Sequence, residues 1–346
     1  MQKNGVDQNV VAEVERTKWK RMLQTLAKDW RLYVLLIPML AFVILFRYLP
    51  IYGILSGFKW DNDGNMMNSQ WAGFTWLMRV FGNPDYAGVF WRAFRNTFVN
   101  SMYGLIFGFP IPILLALCFS EIKLNWYRSI VQVFSYLPHF ISAVVITQLI
   151  RFWCTGEATG FGGGVLYRIF NTFGWTKADA PGRANTSTLL SNAKFFRPIY
   201  QVSGVWEGAG YGSIVYFAAI LAISPVSYEA ARIDGASKIQ QIRYVTFPGM
   251  APTLSIMLIM RIGQILNIGY EKIVLLVEDQ KDASTWETSD VISTYVYRMS
   301  GRSNIPFEGA NQMVGIVMDL FNSIIAMILV LGANAISRRV SSTSLF

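Results

Sequence analysis

Six apolar stretches of about 20 residues each leave this chain few ways to fold, because that is the length a helix needs to cross a bilayer's hydrocarbon core. They lie near 33–55, 97–119, 130–152, 202–223, 250–270 and 313–336. A helix satisfies its own backbone polar groups in lipid, so the expectation is an all-α integral membrane protein with six transmembrane helices. Only 15% of residues are charged, against about 25% in soluble domains. The 11 Trp, 16 Tyr and 24 Phe suit aromatic belts at the two membrane interfaces. The chain divides into a basic tail at 1–32, a six-helix domain at 33–336 and a short tail at 337–346.

The net charge of +9 does not point to nucleic acid, since no basic run is interleaved with aromatics. Much of it sits in Lys3, Arg16, Lys18, Lys20, Arg21, Lys28 and Arg31, a tail suited to anionic lipid. The first apolar run starts too far from the N-terminus for an ordinary signal peptide and is read as a retained anchor. Cys118 falls inside an apolar span and Cys154 at the end of another, which argues against a disulfide framework. One His and two Cys offer little for a metal site. The run Gly160 to Gly164 is rich in glycine but lacks a Gly-Lys-Ser/Thr ending, and none occurs elsewhere. The chain is therefore not expected to hydrolyse a nucleotide or to bind a cofactor.

Six spans place both termini on one side. Lys and Arg are nearly equal in number on the two sides, but they are denser in the short loops 120–128 and 224–248 and in the tails. That density puts both termini and the 224–248 loop in the cytoplasm. On the other side, Trp76, Phe81, Phe90, Trp91 and Phe94 alternate with charges between residues 71 and 95. That mixture predicts short helices lying in the interface.

The polar loop 224–248 separates two spans. Ser224 and Pro225 can open a helix, and the small residues Ala230 and Ala231 let another surface approach it closely. Asp234 and Gly235 end it. Ser237 can cap a second helix running through Tyr244, with Pro248 marking the start of the fifth span. Glu229 is the natural charged contact to a basic partner; the plainer alternative is a local ion pair with Arg232 or Arg243.

The pattern Glu229-Ala230-Ala231, three residues, Gly235, and finally Pro248 resembles the EAA loop of binding-protein-dependent ABC import permeases, where the loop docks an ATPase. The ending Val245-Thr246-Phe247-Pro248 departs from the usual Ile-x-Leu-Pro only by apolar replacement. The segments 136–142, 204–206, 268–272 and 289–298 resemble signatures of the polysaccharide-type, maltose-permease-like branch of the carbohydrate-uptake family. The resemblance implies the type I importer permease fold and a non-catalytic membrane subunit in a prokaryotic cell membrane. It implies a second homologous permease forming a heterodimer, two ATP-binding subunits that hold ATP and Mg, and an extracellular or periplasmic sugar-binding protein. An oligosaccharide is the implied cargo.

Polar groups inside spans are costly in lipid and mark candidate pathways. Arg261, Gln264, Asn267 and Tyr270 form one drifting stripe on the fifth span. Asp319 and Asn322 lie one turn apart on the sixth. Trp206, Glu207 and Tyr211 lie on the fourth span, and Tyr136 and His139 flank Pro138 on the third. A sugar path needs aromatic faces for stacking and amides or charges for hydroxyls, with no single site too tight. The structural alternative pairs Arg261 with Asp319 or Glu207, leaves Asn322 bonded to a neighbouring helix and makes His139 a structural residue. An ion-coupled secondary sugar transporter is the rival function. It predicts mirrored broken helices, and no mirror of Pro110 and Pro112 stands out.

Overall fold

The computed structural model describes residues 25, 27–60, 69–156, 164–175, 189–266, 268–277, 283–300 and 312–340. Described residues are almost entirely helical, and the only sheet-like pairing among them is one bridge between Lys59 and Trp71. Among the described residues, four helices are long and apolar enough to cross a membrane, and up to six crossings result if two bent pairs each count as one.

The chain forms two compact units, 1–71 and 72–346. The first holds α1 (Trp30–Val43), which passes through a π-turn (Ile44–Tyr48) into a 3₁₀ segment (Leu49–Phe58). Arg47 lies in the last turn of that π-segment.

The second unit begins with α2 (Thr75–Gly82), α3 (Pro84–Gly108) and α4 (Pro110–Glu121). The second span thus starts well before residue 97, and 86–121 forms one crossing jointed at Pro110. The aromatic-rich stretch before it does not lie loosely in the interface. Trp76 and Phe90 are buried against Tyr295, Met299, Val314 and Met318. Their partners come from the far end of the sequence, which local periodicity does not reveal.

The third span is also different from its expected form. Helices α5 (Asn125–Tyr136) and α6 (Ala143–Cys154) meet at 95° across a 3₁₀ turn (Leu137–Phe140). Pro138 starts that turn and lacks the N–H that would continue α5. After α7 (Val165–Thr172) comes α8 (Ala193–Leu221), whose 29 residues span about 43 Å. It begins nine residues before the expected 202, because Asn192 caps it by accepting the Lys194 N–H at 3.0 Å.

Next follow α9 (Pro225–Ile233), α10 (Lys238–Gln241) and α11 (Phe247–Gly263), the last two joined by a π-turn (Ile242–Thr246). Then come α12 (Tyr270–Val277), α13 (Ala283–Ser289), α14 (Ile292–Met299) and α15 (Gln312–Val340). The fifth span stops as a helix at Gly263, short of the expected 270.

Ile113, Tyr216, Ile220 and Met250 bury one cluster within the spans, and a larger one forms where the short helices α7, α12 and α13 meet α6 and α8. Ile146, Tyr167, Leu190, Phe196, Ile273 and Trp286 belong to the larger one. Water drives that burial, whereas a helix side facing lipid gains nothing from being covered by another apolar surface. Within the spans, close approach relies on small residues. A methyl group at Gly249 would sit 2.7 Å from Ile223 Cδ1, and one at Gly263 2.8 Å from Val330 Cγ2. At Gly210 it would run into the Ser135 carbonyl, so α8 and α5 touch backbone to backbone there.

A buried polar network fixes α14 to α3 and α8. Asp290 is fully buried and ion-paired with Arg298, with Arg92 3.8 Å away and Thr294 donating to Oδ1 at 2.9 Å. Burial pushes the Asp290 carboxyl above its ordinary range, while the charges of Arg298 and Arg92 and the Thr294 hydroxyl pull it back. Asn96 donates to the carbonyls of Glu287 and Asp290 at 2.9 Å and accepts from Arg197 at 2.6 Å. The segment 289–298 is thus a structural anchor.

Candidate functional site

The loop between α8 and α11 is well defined. Pro225 starts α9, but the Ser224 side chain makes no capping bond. The helix ends in a Schellman arrangement, with the Gly235 N–H donating to Arg232 O at 3.1 Å and the Ala236 N–H to Ala231 O at 2.8 Å. Gly235 has φ +74°, a conformation that costs a side-chain-bearing residue steric strain. Ser237 then opens α10 through a reciprocal box: its Oγ accepts from Gln240 N, and Gln240 Oε1 accepts from Ser237 N at 2.7 Å. The sequence spells that box as Ser-Lys-Ile-Gln, a signal available but not read.

Pro248 does not open a separate helix. Residues 238–263 run as one helix. The π-turn before Pro248 widens the coil where its ring would crowd the preceding carbonyl. Tyr228 and Thr246 share a hydroxyl–hydroxyl bond of 3.0 Å, and Lys238 pairs with Glu121 at 2.7 Å. The loop is therefore fastened both to its own stem and to the end of α4.

Glu229 is exposed and makes no ion pair among the described residues, with neither Arg232 nor Arg243 in contact. Ala230 and Asp234 are exposed beside it, and Ala231 is half-buried. Around them Val226, Ile239 and Tyr244 are exposed, and Ile233 reaches 87%. An acidic group flanked one turn away on its helix by the uncovered Val226 and Ile233 is a surface shaped for a protein partner.

A second feature lies where α11 unwinds. After Gly263 the backbone leaves the helix, and the carbonyls of Ile265, Leu266 and Ile268 find side-chain donors. Ser101 donates to Ile265 O, Asn322 to Leu266 O at 3.1 Å and Ser293 to Ile268 O at 2.5 Å. Irregular backbone at membrane depth is tolerated where protein groups replace the lost helical bonds and the segment lines a cavity.

It does line one. A cleft of about 380 Å³ is enclosed by α3, α8, the end of α11 and the start of α12. Its walls carry Asn100, Gln201, Glu207, Arg261, Gln264 and Lys272, with Gly104, Gly108, Gly204 and Gly208 spaced in one-turn steps on the facing helices. Glycine on both walls keeps the space open. Glu207 pairs with Lys272 at 2.7 Å, so neither Glu207 nor Asp319 serves as the partner of Arg261. Asp319 is exposed and makes no ion pair among the described residues.

The other candidate residues fall elsewhere. Asn267 lies outside the described residues. Tyr270 stacks on Tyr297, ring centroids 4.8 Å apart, and Asn322 is spent on Leu266. His139 stacks on Tyr211 at 4.0 Å and 11°, and Tyr136 packs edge-on against Phe119. Trp206 faces a separate, largely apolar cavity with Ile111, Phe134 and Pro138. The structure therefore gathers Glu207, Arg261 and Gln264 in one cleft and leaves the other described candidates outside it. Asn100, Gln201 and Lys272 join them there. Asn100 and Gln201 carry no local sequence signal beyond being polar on apolar helices.

Residues 108–271 match the family described as "Binding-protein-dependent transport system inner membrane component". Protein LplB of Bacillus subtilis (strain 168) is 31% identical over 94% of this chain and 93% of its own length. The polygalacturonan/rhamnogalacturonan transport system permease protein YteP of the same organism is 30% identical over 96% and 95%. Among solved structures, a bacterial ABC transporter involved in the import of the acidic polysaccharide alginate superposes with a TM-score of 0.76 at 36% identity, covering 92% of this chain and 99% of that one. A bacterial alginate ABC transporter in complex with an alginate pentasaccharide-bound periplasmic protein gives 0.77 at 35% identity, covering 94% and 100%. With near-complete coverage in both directions, the chain belongs to the binding-protein-dependent transport family, as a non-catalytic, multi-pass inner-membrane permease subunit of the type I ABC importer fold.

Proposed function

We propose that the chain forms one half of the membrane path of an ATP-driven importer for oligosaccharides or polysaccharide fragments, and couples to its ATPase through the 229–248 loop. The observation that carries this reading is Glu229, exposed and unpaired between exposed aliphatics one turn away on a helix fastened to the membrane stem. A surface loop with no partner would gain nothing from leaving Ile233 uncovered. The names and structures of the relatives support a saccharide cargo, and the cleft at the break in α11 supplies the amides and charges such a cargo needs.

In this reading both termini and the loop face the cytoplasm. A second, homologous permease completes the path, two ATP-binding subunits hold ATP and Mg, and a sugar-binding protein delivers cargo from outside. ATP closes the ATPase pair, the two loops move together, and the cleft changes the side to which it opens.

The test is ATP-driven sugar uptake in vesicles carrying the full complex. Glu229→Ala is expected to lower uptake by about tenfold or more, as loss of a central charged contact does at other interfaces, while the complex still purifies intact. Unchanged uptake, or uptake without ATP, would overturn the proposal.

A further inference from the structure

The charges in the cleft do not cancel. Glu207 and Lys272 neutralise each other, whereas Arg261 lines the same cleft with no acidic partner among the described residues. Arg261 is exposed to the cleft with its charge uncompensated, open to an anion that enters there. Asn100 makes the same point independently. It is only 1% exposed, yet both its amide nitrogen and its carbonyl oxygen lack hydrogen-bond partners. Leaving two such atoms buried and empty costs free energy that a bound polar group would recover.

A neutral sugar would satisfy Asn100 but not Arg261, because hydroxyl groups do not cancel a charge. We propose that the cleft holds a carboxylate subsite for an acidic saccharide, one bearing uronic acid residues. Arg261 meets the carboxylate, and Asn100 and Gln264 meet neighbouring hydroxyls. The fork of Arg suits a planar carboxylate, which it can bond with two parallel N–H groups. The inference rests on the cleft being the sugar path.

The rest of the groove fits the same cargo. Gln201 and Val205 line both this cleft and an adjoining cavity of about 920 Å³. In that cavity Lys194 and Arg197 stand near a stacked pair of rings, Tyr103 and Phe107. Glu287 lines that cavity too, so an acidic chain lying along α8 meets two cations against one carboxylate and an aromatic platform there, and Arg261 in the adjoining cleft. Glu207, also in the cleft, keeps the subsite from becoming a trap, since release requires binding to stay weak.

The experiment uses the full complex in nanodiscs without nucleotide, with binding of trigalacturonate and of its fully methyl-esterified form followed by saturation-transfer NMR. Wild type is expected to prefer the free acid by about tenfold, the scale of a partly desolvated charge pair. Arg261→Gln should abolish the preference without weakening the ester, and Arg261→Lys should retain part of it. Equal binding of acid and ester, binding of neither, or a preference that survives Arg261→Gln would overturn the carboxylate subsite. A fall in complex stability in Arg261→Gln with the preference intact would assign Arg261 to an acidic group of the second permease instead. Gly208→Leu separates this inference from the path itself. A Cβ at Gly208 meets nothing within 4 Å, so a side chain there starts into open space on the cleft wall rather than against a neighbouring helix. If Gly208→Leu leaves binding of both sugars unchanged, the cleft is not the path and both readings fall. If it blocks both sugars while acid and ester bind equally, the path stands and only the carboxylate subsite is lost.

Discussion

The hydroxyls of Tyr228 and Thr246 lie 3.0 Å apart, and through them the helix carrying Glu229 is fixed to the helix that runs to the cleft. Tyr228→Phe removes this bond and little else. The loss of about 0.5–1.5 kcal/mol expected for one such bond should raise amide exchange across 225–233 by roughly two- to tenfold. Hydrogen-exchange mass spectrometry on the complex reads this directly. Unchanged exchange would mean that the loop is held by other contacts.

The Lys238–Glu121 pair should matter far less. Both side chains are about half exposed, and exposed pairs contribute about 0–1 kcal/mol. Lys238→Ala is expected to leave sugar uptake within about twofold of wild type. A loss of tenfold would show that this contact transmits the stroke.

Gly210 should tolerate no side chain. Because a Cβ there meets the Ser135 backbone, Gly210→Leu must force α8 away from α5, at a cost of about 1–3 kcal/mol or more. The melting midpoint of the detergent-solubilised complex should fall, in contrast to Gly208→Leu two residues earlier. Equal midpoints for the two variants would contradict the close approach described.

Asp290→Ala should be the most damaging change outside the spans. It leaves Arg298 and Arg92 without their buried counter-charge, and breaking such a pair costs about 3–5 kcal/mol. The double change Asp290→Ala with Arg298→Met should recover part of that loss, because the stranded charge is removed as well. Thermal unfolding of the two variants distinguishes a structural anchor from a residue needed only for transport.

Much of the fold was legible because lipid enforces it. Runs such as 313–336 announce themselves by length and apolarity alone, and the break at Gly235 follows from local backbone chemistry, whereas the bend after Pro138 went unpredicted within an apolar run. The errors share one cause, which is that contacts between distant segments leave no local mark. Phe90 looked interfacial because its cover, Tyr295 and Met318, lies some two hundred residues away in sequence. The helix end at Gly263 was hidden because the donors that replace its hydrogen bonds sit on α3, α14 and α15. Pro248 misled in the opposite direction, since a π-turn accommodates it inside a continuous helix. In the cleft, Arg261 and Gln264 stood out as polar residues in an apolar run, whereas nothing local predicted that Lys272 would claim Glu207.

That uninterrupted helix from Lys238 to Gly263 has a mechanical consequence. Its 26 residues make a strut about 39 Å long, with the loop at one end and Arg261 at the other. A hinge at Pro248 would let the ends tilt independently and dissipate any thrust. Without a break there, rotation of the foot is carried along the strut, so in the proposed coupling scheme the Arg261 guanidinium would turn about the strut axis as the 224–248 loop turns.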